Sequence, residues 1–328
     1  MKIIIPNHRP ADSFVDNVAH TLEKMGHQVL TMPNISNRLI NSPIYRYTNE
    51  FIKKANPNQL DNREKWLLKN AKEYKPDILF TLTQAIKEDV LFQVKKSGVR
   101  HCIAWWGDTP ANMRDFGLLS SQWDLIYIKD LNAVNKFKRL RLNAHLMHEA
   151  MNPTWHKPLI KKKNNRISVA GTFYGYRQHL VSKLLNEGIE MELNGGRLPR
   201  WVLPEIKLIH QQKFIVREEK SKVFGEALAC LNSTDLSEGN SLNCRAFEIA
   251  GAGGLQLLEY RSIVTECFEP GKEILTFDTF GELLELITRI KKDNKWANQI
   301  SIAGHKRALN EHTYEHRLNK IFKDRQQL

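Results

Sequence analysis

The sequence predicts an α/β protein made of two doubly wound domains, each with a parallel sheet covered by helices. Strand-like and helix-like segments alternate along the chain, and the strand-like segments are apolar on both faces, which is typical of parallel strands buried between helices. This alternation stops near residue 158, where prolines and basic residues follow one another without periodicity, and then begins again. Since 328 residues are about twice the length of a typical domain, we interpret the interruption as a linker.

The first half of the chain begins with a strand and a helix. Lys2–Ile5 is a short apolar run that stops at Pro6, which predicts the first strand. Asp12–Gly26 carries an apolar stripe with helical spacing and ends at a glycine, which is a common helix terminator. The next strands are predicted at Gln28–Met32, Ile78–Leu82, Cys102–Trp106 and Leu125–Ile128. The intervening and following helices are predicted at Ile44–Ala55, Leu60–Tyr74, 85–97 and 131–141.

The second half repeats this alternation after the linker. Its strands are predicted at 166–170, 190–193, 213–216, 229–231, 254–258 and 273–277. Its helices are predicted at 177–186, 217–227, 241–251 and 281–291, followed by a polar helical stretch at 293–326. We therefore predict one domain at 1–158, a second at 159–310 and a terminal helix at 311–328.

The composition is that of a soluble globular protein, with 41% hydrophobic and 26% charged residues. No apolar run approaches the roughly 18–20 residues that a membrane span needs, and the start lacks a signal-peptide core, so we expect a cytoplasmic protein. The four cysteines lack the spacing of a zinc site or a disulfide framework. The net charge of +13 favours anionic partners. The candidates are phosphate-bearing ligands and the inner face of the membrane, which the protein would contact peripherally. A nucleic-acid partner is disfavoured, because the basic residues are dispersed and no known recognition pattern occurs.

Two loops that follow predicted strands carry groups suited to a nucleotide. Gly171, Thr172, Tyr174 and Arg177 lead from a strand into a helix, which is a layout that can cradle a phosphate on backbone N–H groups and an arginine. The other interpretation is an ordinary turn with a solvated Arg177.

The second loop, 232–240, ends where Ser241 is predicted to cap a helix. Asn243 and Arg245 lie near the start of this helix and suit a diphosphate, and Glu248 suits the hydroxyl groups of a ribose. The other interpretation is a capped helix in which Arg245 and Glu248, three residues apart, pair with each other.

Two further residues are candidates for catalysis in the N-terminal half. Asp108 follows an apolar strand and two tryptophans, where burial would raise the pKa of its carboxyl group towards that of a general base. Since Asp-Thr-Pro is also a strong turn sequence, Asp108 is equally a candidate turn cap. His8 lies in the predicted loop after the first strand, where it faces either the cleft or the solvent.

Several segments resemble the CgeB-like, spore-maturation type of glycosyltransferase, a family of predicted GT-B enzymes related to group 1 glycosyltransferases. The most specific segments are Arg245–Gly254 (RAFEIAGAGG) and Phe268–Glu273 (FEPGKE). Weaker similarities in the same order are Trp105–Pro110, Ala170–Phe173, Leu193–Gly196 and Glu311–Arg317.

The resemblance implies a GT-B fold with a cleft between two Rossmann-like domains. It implies that 159–310 binds a nucleotide-sugar donor, that 1–158 binds an acceptor, and that 311–328 crosses back to the N-terminal domain. The acceptor is unidentified: a glycan, a protein, a lipid-linked sugar or a small molecule. The implied activity is that of a hexosyltransferase-type enzyme that retains configuration and needs no cofactor.

The same resemblance assigns individual residues. Glu248 matches the glutamate expected at the donor ribose, and Arg177 and Arg245 are candidates for the diphosphate. The first glutamate of the group 1 pattern would fall at Asn240, with Glu238 two residues earlier, so either residue or neither contacts the sugar. The chain has no DxD pair, so a metal-bridged diphosphate is not expected.

Two other classes of function remain open at this stage. A GT-B epimerase or hydrolase would use the same donor site and would need its own acid and base carboxylates in the cleft. A non-catalytic protein that binds nucleotides or nucleic acid would need neither, and binding to random duplex would then depend steeply on salt.

Overall fold

Two parallel sheets form the frame of the protein. The computed structural model describes residues 1–34, 59–110, 117–159 and 162–328. The strands of the first sheet are β1 (Lys2–His8), β2 (Gln28–Met32), β3 (Ile78–Leu82), β4 (His101–Trp106), β5 (Leu125–Ile128) and β6 (Ala144–Leu146). The strands of the second sheet are β7 (Ile167–Ala170), β8 (Met191–Asn194), β9 (Ala229–Asn232), β10 (Gln256–Glu259) and β11 (Leu275–Phe277). Their orders are β2-β1-β3-β4-β5-β6 and β11-β10-β9-β7-β8.

Helices connect the strands and cover both faces of each sheet. The N-terminal half contains α1 (Phe14–Lys24), α2 (Asn62–Tyr74), α3 (Glu88–Lys96) and α4 (Leu131–Arg139). The C-terminal half contains α5 (Gly175–Asn186), α6 (Pro204–Ile209), α7 (Arg217–Glu226), α8 (Cys244–Gly251), α9 (Val264–Cys267), α10 (Phe280–Lys292), α11 (Asn294–Glu311) and α12 (Tyr314–Arg325). Among the described helices, none has the length and apolar character to cross a bilayer.

Both faces of the N-terminal sheet are buried, which explains why its strands are apolar throughout. One face packs against α2, α3 and α4, through side chains such as Leu67 and Val90. The other face packs against α1 and against α12 from the far end of the chain, whose Tyr314, Leu318 and Ile321 share one apolar cluster with the sheet. The last helix therefore contributes to the core of the N-terminal half.

The C-terminal sheet is also covered on both faces. Val181, Leu283 and Ile300 of α5, α10 and α11 pack on one face, while Phe224 and Ile249 of α7 and α8 pack on the other. The α/β class with two doubly wound parallel sheets, predicted from the sequence, is thus confirmed.

Three short elements have no signal in the sequence pattern. They are β6, α6 and α9, which contain 3, 6 and 4 residues, too few to show a period.

The predicted strand at 213–216 is wrong. Phe214 is 70% exposed, and Gly195 N donates to Lys213 O at 3.0 Å. This segment therefore crosses the end of β8 instead of extending the sheet.

The predicted cap at Ser241 is also wrong. The helix begins at Cys244, and the side chain of Asn243 accepts a hydrogen bond from Ala246 N. Asn243 has an extended backbone, with φ −82° and ψ 164°, which is the conformation that an N-cap residue requires. The polar loop therefore continues for two residues more than the pattern indicates.

The polar stretch at 293–326 forms two helices, α11 and α12, and the second lies within the terminal helix predicted at 311–328. The helical conformation is interrupted at His312, because Met151 N donates to His312 O at 3.0 Å and Tyr314 N donates to Met151 O at 3.1 Å. These bonds tie the break to the segment that links the two sheets. Thr313 then caps α12 through a hydrogen bond from His316 N. The predicted helix at Ile44–Ala55 lies outside the described residues.

Candidate functional site

A cavity of about 450 Å³ lies where the carboxyl ends of the two sheets meet. We call it the interdomain cavity. The loop after β1 (residues 10–13) forms one side, and residues 170–172, 194–195 and 214–216 form the other. Lys220 and Arg245 complete the lining. Ligands of open α/β sheets bind at the carboxyl ends of the strands, so this cavity is the expected position for one.

Two features of the interdomain cavity favour an anion. Ser13, which lines it, is the N-cap of α1, so the positive end of that helix dipole faces the cavity. On the opposite side of the cavity, Gly171 has no side chain, so a ligand can lie close to its backbone. It has φ +136°, and a Cβ atom there would lie 2.9 Å from Nη1 of Arg177 and 3.6 Å from Nη2 of Arg245. A side chain at this position would therefore be strained and would crowd the arginines.

Arg245 combines a fixed position with an accessible edge. Its Nη1 lies 2.7 Å from Oε2 of Glu248, and 21% of its side chain is exposed. The Glu248 carboxylate thus orients the guanidinium, as the alternative interpretation of a paired Arg245 and Glu248 predicts, and Arg245 also lines the interdomain cavity. Its role as a diphosphate ligand stays a prediction.

Arg177 is placed differently from Arg245, because protein acceptors surround its guanidinium. Its Nε donates to Ser233 Oγ at 2.9 Å, Nη1 donates to Thr172 O at 2.7 Å, and Nη2 donates to Tyr174 Oη at 2.7 Å and to Ser233 O. Tyr174 Oη in turn donates to Ser233 O at 3.0 Å. Arg177 therefore joins the loop after β7 to the loop after β9 and is only 6% exposed.

A buried ionic network crosses the boundary between the two halves of the protein. The ammonium of Lys220 lies 2.6 Å from Oδ2 of Asp12 and 2.9 Å from Oε1 of Glu248. The Nε2 atom of His156 lies 3.3 Å from Oδ1 of Asp12. The His156 Nδ1 atom accepts a hydrogen bond from Asn152 N, so the proton is on Nε2, facing Asp12.

The network controls the ionisation of its two carboxylates. Burial alone would raise the pKa of Asp12, but the N–H group of His156 and the charge of Lys220 outweigh it and hold that pKa well below its usual range. Burial likewise opposes ionisation of Glu248, yet Lys220 and Arg245 keep its pKa below the ordinary value. Glu248 is 2% exposed, so in this conformation it holds two cations in place instead of facing the cavity.

Asp12, His156 and Glu248 also form a group with the spacing of a metal site, since their ligand atoms lie within 4.8 Å of one another. The Lys220 ammonium already lies between the two carboxylates, and Arg245 supplies a second positive charge at Glu248. A metal ion would have to displace the ammonium, so these residues fit a lysine better than a cation. Sequence reasoning missed Asp12, His156 and Lys220, although the position of Asp12 after β1, at the cleft, was a usable signal.

Asp12 and Arg217 are non-glycine residues with left-handed backbones, with φ 57° and 52°. They meet across the same boundary, where Arg217 N donates to Oδ2 of Asp12 at 2.7 Å. Left-handed backbone is unfavourable for such residues, and it persists where surrounding contacts enforce it. The contact therefore defines how the loop after β1 meets α7.

The loop after β9 places the other predicted donor residues. Glu238 forms an ion pair of 2.7 Å with Lys129, which follows β5 in the N-terminal sheet. Asn240 uses its amide to hold the loop, since its Nδ2 donates to Ser262 Oγ at 2.9 Å and its Oδ1 accepts from Ile263 N at 3.0 Å. Asn243 caps α8, so of these residues only Glu238 reaches across the cleft.

Asp108 and His8 differ from their predicted surroundings. Asp108 is exposed in the bend after β4, so the predicted burial beside the tryptophans is wrong; Trp105 and Trp106 are 0% and 7% exposed and point into the two faces of the sheet. His8 is the last residue of β1 instead of part of the following loop, and it pairs with Met32. Its Nδ1 donates to Pro33 O at 2.6 Å, so Nε2 is the free nitrogen.

The surroundings of Glu149 favour the neutral form of its carboxyl group. It follows β6 and is 9% exposed. A Cβ atom at Gly107 would lie 3.0 Å from its Cδ, so the backbone there lies against the carboxyl group. Burial raises the pKa of Glu149 to about 8, with Asp108 acting in the same direction and Lys129 opposing it. A protonated carboxylic acid near pH 7 can donate a hydrogen bond in the cleft.

The sequence of the second half of the chain matches a known protein family. Residues 154–323 match the family described as glycosyl transferase-like. The chain belongs to the glycosyl transferase-like family. The match includes the linker, the whole second sheet and most of α12, and it therefore contains Arg177, Lys220, Arg245 and Glu248. No curated protein sequence matches this glycosyl transferase-like protein.

Solved structures with the GT-B arrangement resemble this glycosyl transferase-like protein over its whole length. HepE from Anabaena, in complex with UDP and glucose, has a TM-score of 0.63 and 12% identity, and the match covers 98% of this chain and 99% of HepE. Sucrose-phosphate synthase from Thermosynechococcus elongatus has a TM-score of 0.63 and 13% identity, and the match covers 99% of this chain and 98% of the synthase. At such identities the comparison establishes the fold, and the predicted GT-B architecture is confirmed.

Proposed function

We propose that the protein transfers a sugar from a nucleoside diphosphate sugar, bound to the C-terminal half, to an acceptor bound to the N-terminal half. The observation that carries this proposal is the convergence of Arg245, Lys220 and the N-terminus of α1 on one cavity at the carboxyl ends of both sheets. The presence of UDP and glucose in the HepE complex supports a nucleotide sugar as the donor.

The diphosphate fits the part of the interdomain cavity between Gly171, Arg245 and the start of α1. The nucleoside then extends towards residues 214–216, where Phe214 is 70% exposed and offers a face for stacking. In this pose the ribose lies beside Arg245, and Glu248 acts through the two cations that it orients. The sugar extends towards the cleft, where Glu238 pairs with Lys129 across the domain boundary.

Transfer breaks the bond between C1 of the sugar and the diphosphate and forms a bond between C1 and an acceptor oxygen. The charge that develops on the departing diphosphate is stabilised by Arg245, by Lys220 and by the dipole of α1, so a metal ion is not needed for that step. Asp108 remains the proposed acceptor of the proton from the hydroxyl group, and its exposure at the end of β4 leaves it open to an acceptor.

Further details of the proposal rest on the resemblance to CgeB-like enzymes. They are retention of configuration, for which the acceptor oxygen attacks C1 on the face that the diphosphate leaves, a hexose as the transferred sugar and the CgeB-like subclass itself. A peripheral contact with an anionic membrane is also proposed, through the basic residues Lys136, Lys138 and Arg139 at the end of α4.

A thermal-shift panel of UDP, GDP, dTDP, CMP and ADP tests the proposal. The nucleotide of the true donor should raise the melting temperature, because a ligand that binds the folded state stabilises it by mass action. Arg245→Ala should abolish or strongly reduce this shift. If none of the five nucleotides changes the melting temperature, or if Arg245→Ala responds like the unmodified protein, the assignment of the interdomain cavity as the donor site is wrong.

A further inference from the structure

A second cavity, of about 500 Å³, lies where β9, β10 and β11 end, between their loops and α5. We call it the sheet-end cavity. Among the described residues, none lines both this cavity and the interdomain cavity. The hydrogen bonds from Arg177 to Thr172 and Ser233 run between them, because Thr172 lines the first cavity and Thr234 lines the second. The two cavities are therefore separate.

Aromatic rings are accessible in the sheet-end cavity. Tyr176 and Tyr260 line it, and they are 38% and 43% exposed. Phe280 lies on a third side, with the ammonium of Lys183 at 4.9 Å from the centre of its ring. Accessible rings in a concave surface offer flat apolar faces to a ligand. The C–H face of a pyranose ring is apolar and can pack against them.

The polar groups behind the rings are already fixed by hydrogen bonds. Glu259 accepts hydrogen bonds from the Tyr176 hydroxyl and, at 3.1 Å, from Thr234 N. Arg261 donates to Gly239 O at 3.0 Å and to Ser241 O at 3.2 Å, and also to the Thr234 hydroxyl. The wall is therefore preorganised, and its arginine is committed to protein acceptors instead of facing an anion.

The charge of the lining excludes most anionic ligands. Four carboxylates line the sheet-end cavity, Asp235, Glu238, Glu259 and Asp278, against two cations, Lys183 and Arg261. This is an acidic surface in a protein whose net charge is +13. It would repel a phosphate, whereas hydroxyl groups can donate to exposed carboxylates such as those of Asp235 and Asp278.

We propose that the sheet-end cavity binds a neutral saccharide, with a sugar ring on Tyr260 and hydroxyl groups donating to Asp235 and Asp278. This assignment goes beyond the donor site, because it places a second ligand in a cavity that the nucleotide does not use. Glu238 lines the same cavity and pairs with Lys129 at the domain boundary. A saccharide chain bound there would therefore adjoin the cleft in which transfer is proposed.

Binding of neutral trisaccharides built from glucose, galactose, mannose or N-acetylglucosamine tests this proposal, with saturation-transfer NMR on the full-length protein. At least one trisaccharide should bind, and Tyr260→Ala should weaken its binding by at least tenfold. Phe92→Ala removes an aromatic ring of α3 that is 47% exposed and lines neither cavity. It is the matched control, which should bind the trisaccharide like the unmodified protein.

Competition distinguishes the two cavities in the same experiment. Excess UDP or GDP should leave the trisaccharide signals unchanged if the saccharide occupies the sheet-end cavity. Displacement by the nucleotide, equal binding by Tyr260→Ala, or the absence of binding by all four trisaccharides would each overturn the proposal. A nucleotide that binds while no trisaccharide does would leave the proposed donor site intact.

Discussion

Lys220 and Asp12 join the two halves of the protein through a buried ion pair in which Nζ and Oδ2 are 2.6 Å apart. Lys220 belongs to α7 of the C-terminal half, and Asp12 precedes α1 of the N-terminal half. The same ammonium contacts Glu248, so one cation compensates two carboxylates that would otherwise repel each other. Lys220 is therefore a central contact of the boundary, beside those of Arg217 with Asp12 and of Glu238 with Lys129.

Replacing that side chain should destabilise the protein. Lys220→Met leaves Asp12 and Glu248 buried as like charges, and breaking a buried pair in this way costs about 3–5 kcal/mol. The free energy of unfolding in urea measures the loss. Lys222→Met is the control on the same helix, since 60% of that side chain is exposed, and it should change stability by less than about 0.5 kcal/mol. Equal stabilities of the two variants would show that the Lys220 contacts contribute nothing to folding.

Arg245→Ala should lower the affinity for the donor nucleotide by about 1–3 kcal/mol, typical of losing a hydrogen bond to a charged group. The reason is that Arg245 is the accessible guanidinium of the interdomain cavity, whereas Arg177 is occupied by protein acceptors. Calorimetric titration measures the change. Arg166→Ala, on the exposed approach to β7, should bind the nucleotide normally. If the folded Arg245→Ala protein binds the nucleotide with unchanged affinity, Arg245 does not bind the nucleotide and only pairs with Glu248.

Asp108→Asn should reduce turnover roughly 10²–10⁴-fold, the usual range for the loss of a general base. The melting temperature should stay nearly constant, because Asp108 is exposed. Single-turnover rates and melting curves of the variant measure both effects. Asp89→Asn, an exposed carboxylate on α3, is the control. A less stable but fully active Asp108→Asn protein would indicate a turn cap and no part in catalysis.

Leu318→Ala should destabilise the protein by about 2–5 kcal/mol, because it leaves a cavity in the core that α12 shares with the N-terminal sheet. Leu309→Ala, on α11, is the matched control, since that leucine is 44% exposed. Chemical denaturation compares the two variants. If they are equally stable, α12 does not contribute to that core in solution.

Glu149 should make stability fall as the pH rises. Its pKa is about 8 in the folded protein and about 4.5 when unfolded. Between these values the folded state binds more protons, so the free energy of unfolding decreases with pH across that window and is constant above it. Glu149→Gln should remove this decrease and be more stable than the unmodified protein at pH 8. Denaturation at several pH values measures it, with Glu187→Gln, an exposed carboxylate, as the control. Parallel pH profiles of the unmodified protein and Glu149→Gln would contradict the raised pKa.

Local patterns were sufficient for most of the fold. Lys2–Ile5, Ile78–Leu82 and Leu125–Ile128 are short apolar runs, and each lies in a strand because a run that is apolar on both faces has few alternatives to burial between helices. The pattern failed at 213–216, where three apolar residues suggest a strand. Phe214 remains 70% exposed there, because no neighbouring edge pairs along this segment.

Periodicity and strand ends are local properties, so the sequence alone predicts two parallel-sheet domains with glycine, arginine and carboxylate groups after their strands. Which of these groups meet depends on the tertiary structure. The contact of Arg217 N with Asp12 joins residues 205 positions apart, and His156, Lys220 and Glu248 join the same network from three further segments. It also decided that Arg177 is enclosed, that Asp108 is exposed and that Glu149 is buried. Exposure, pairing and pKa depend on neighbours that distant parts of the chain supply, and no local pattern records them.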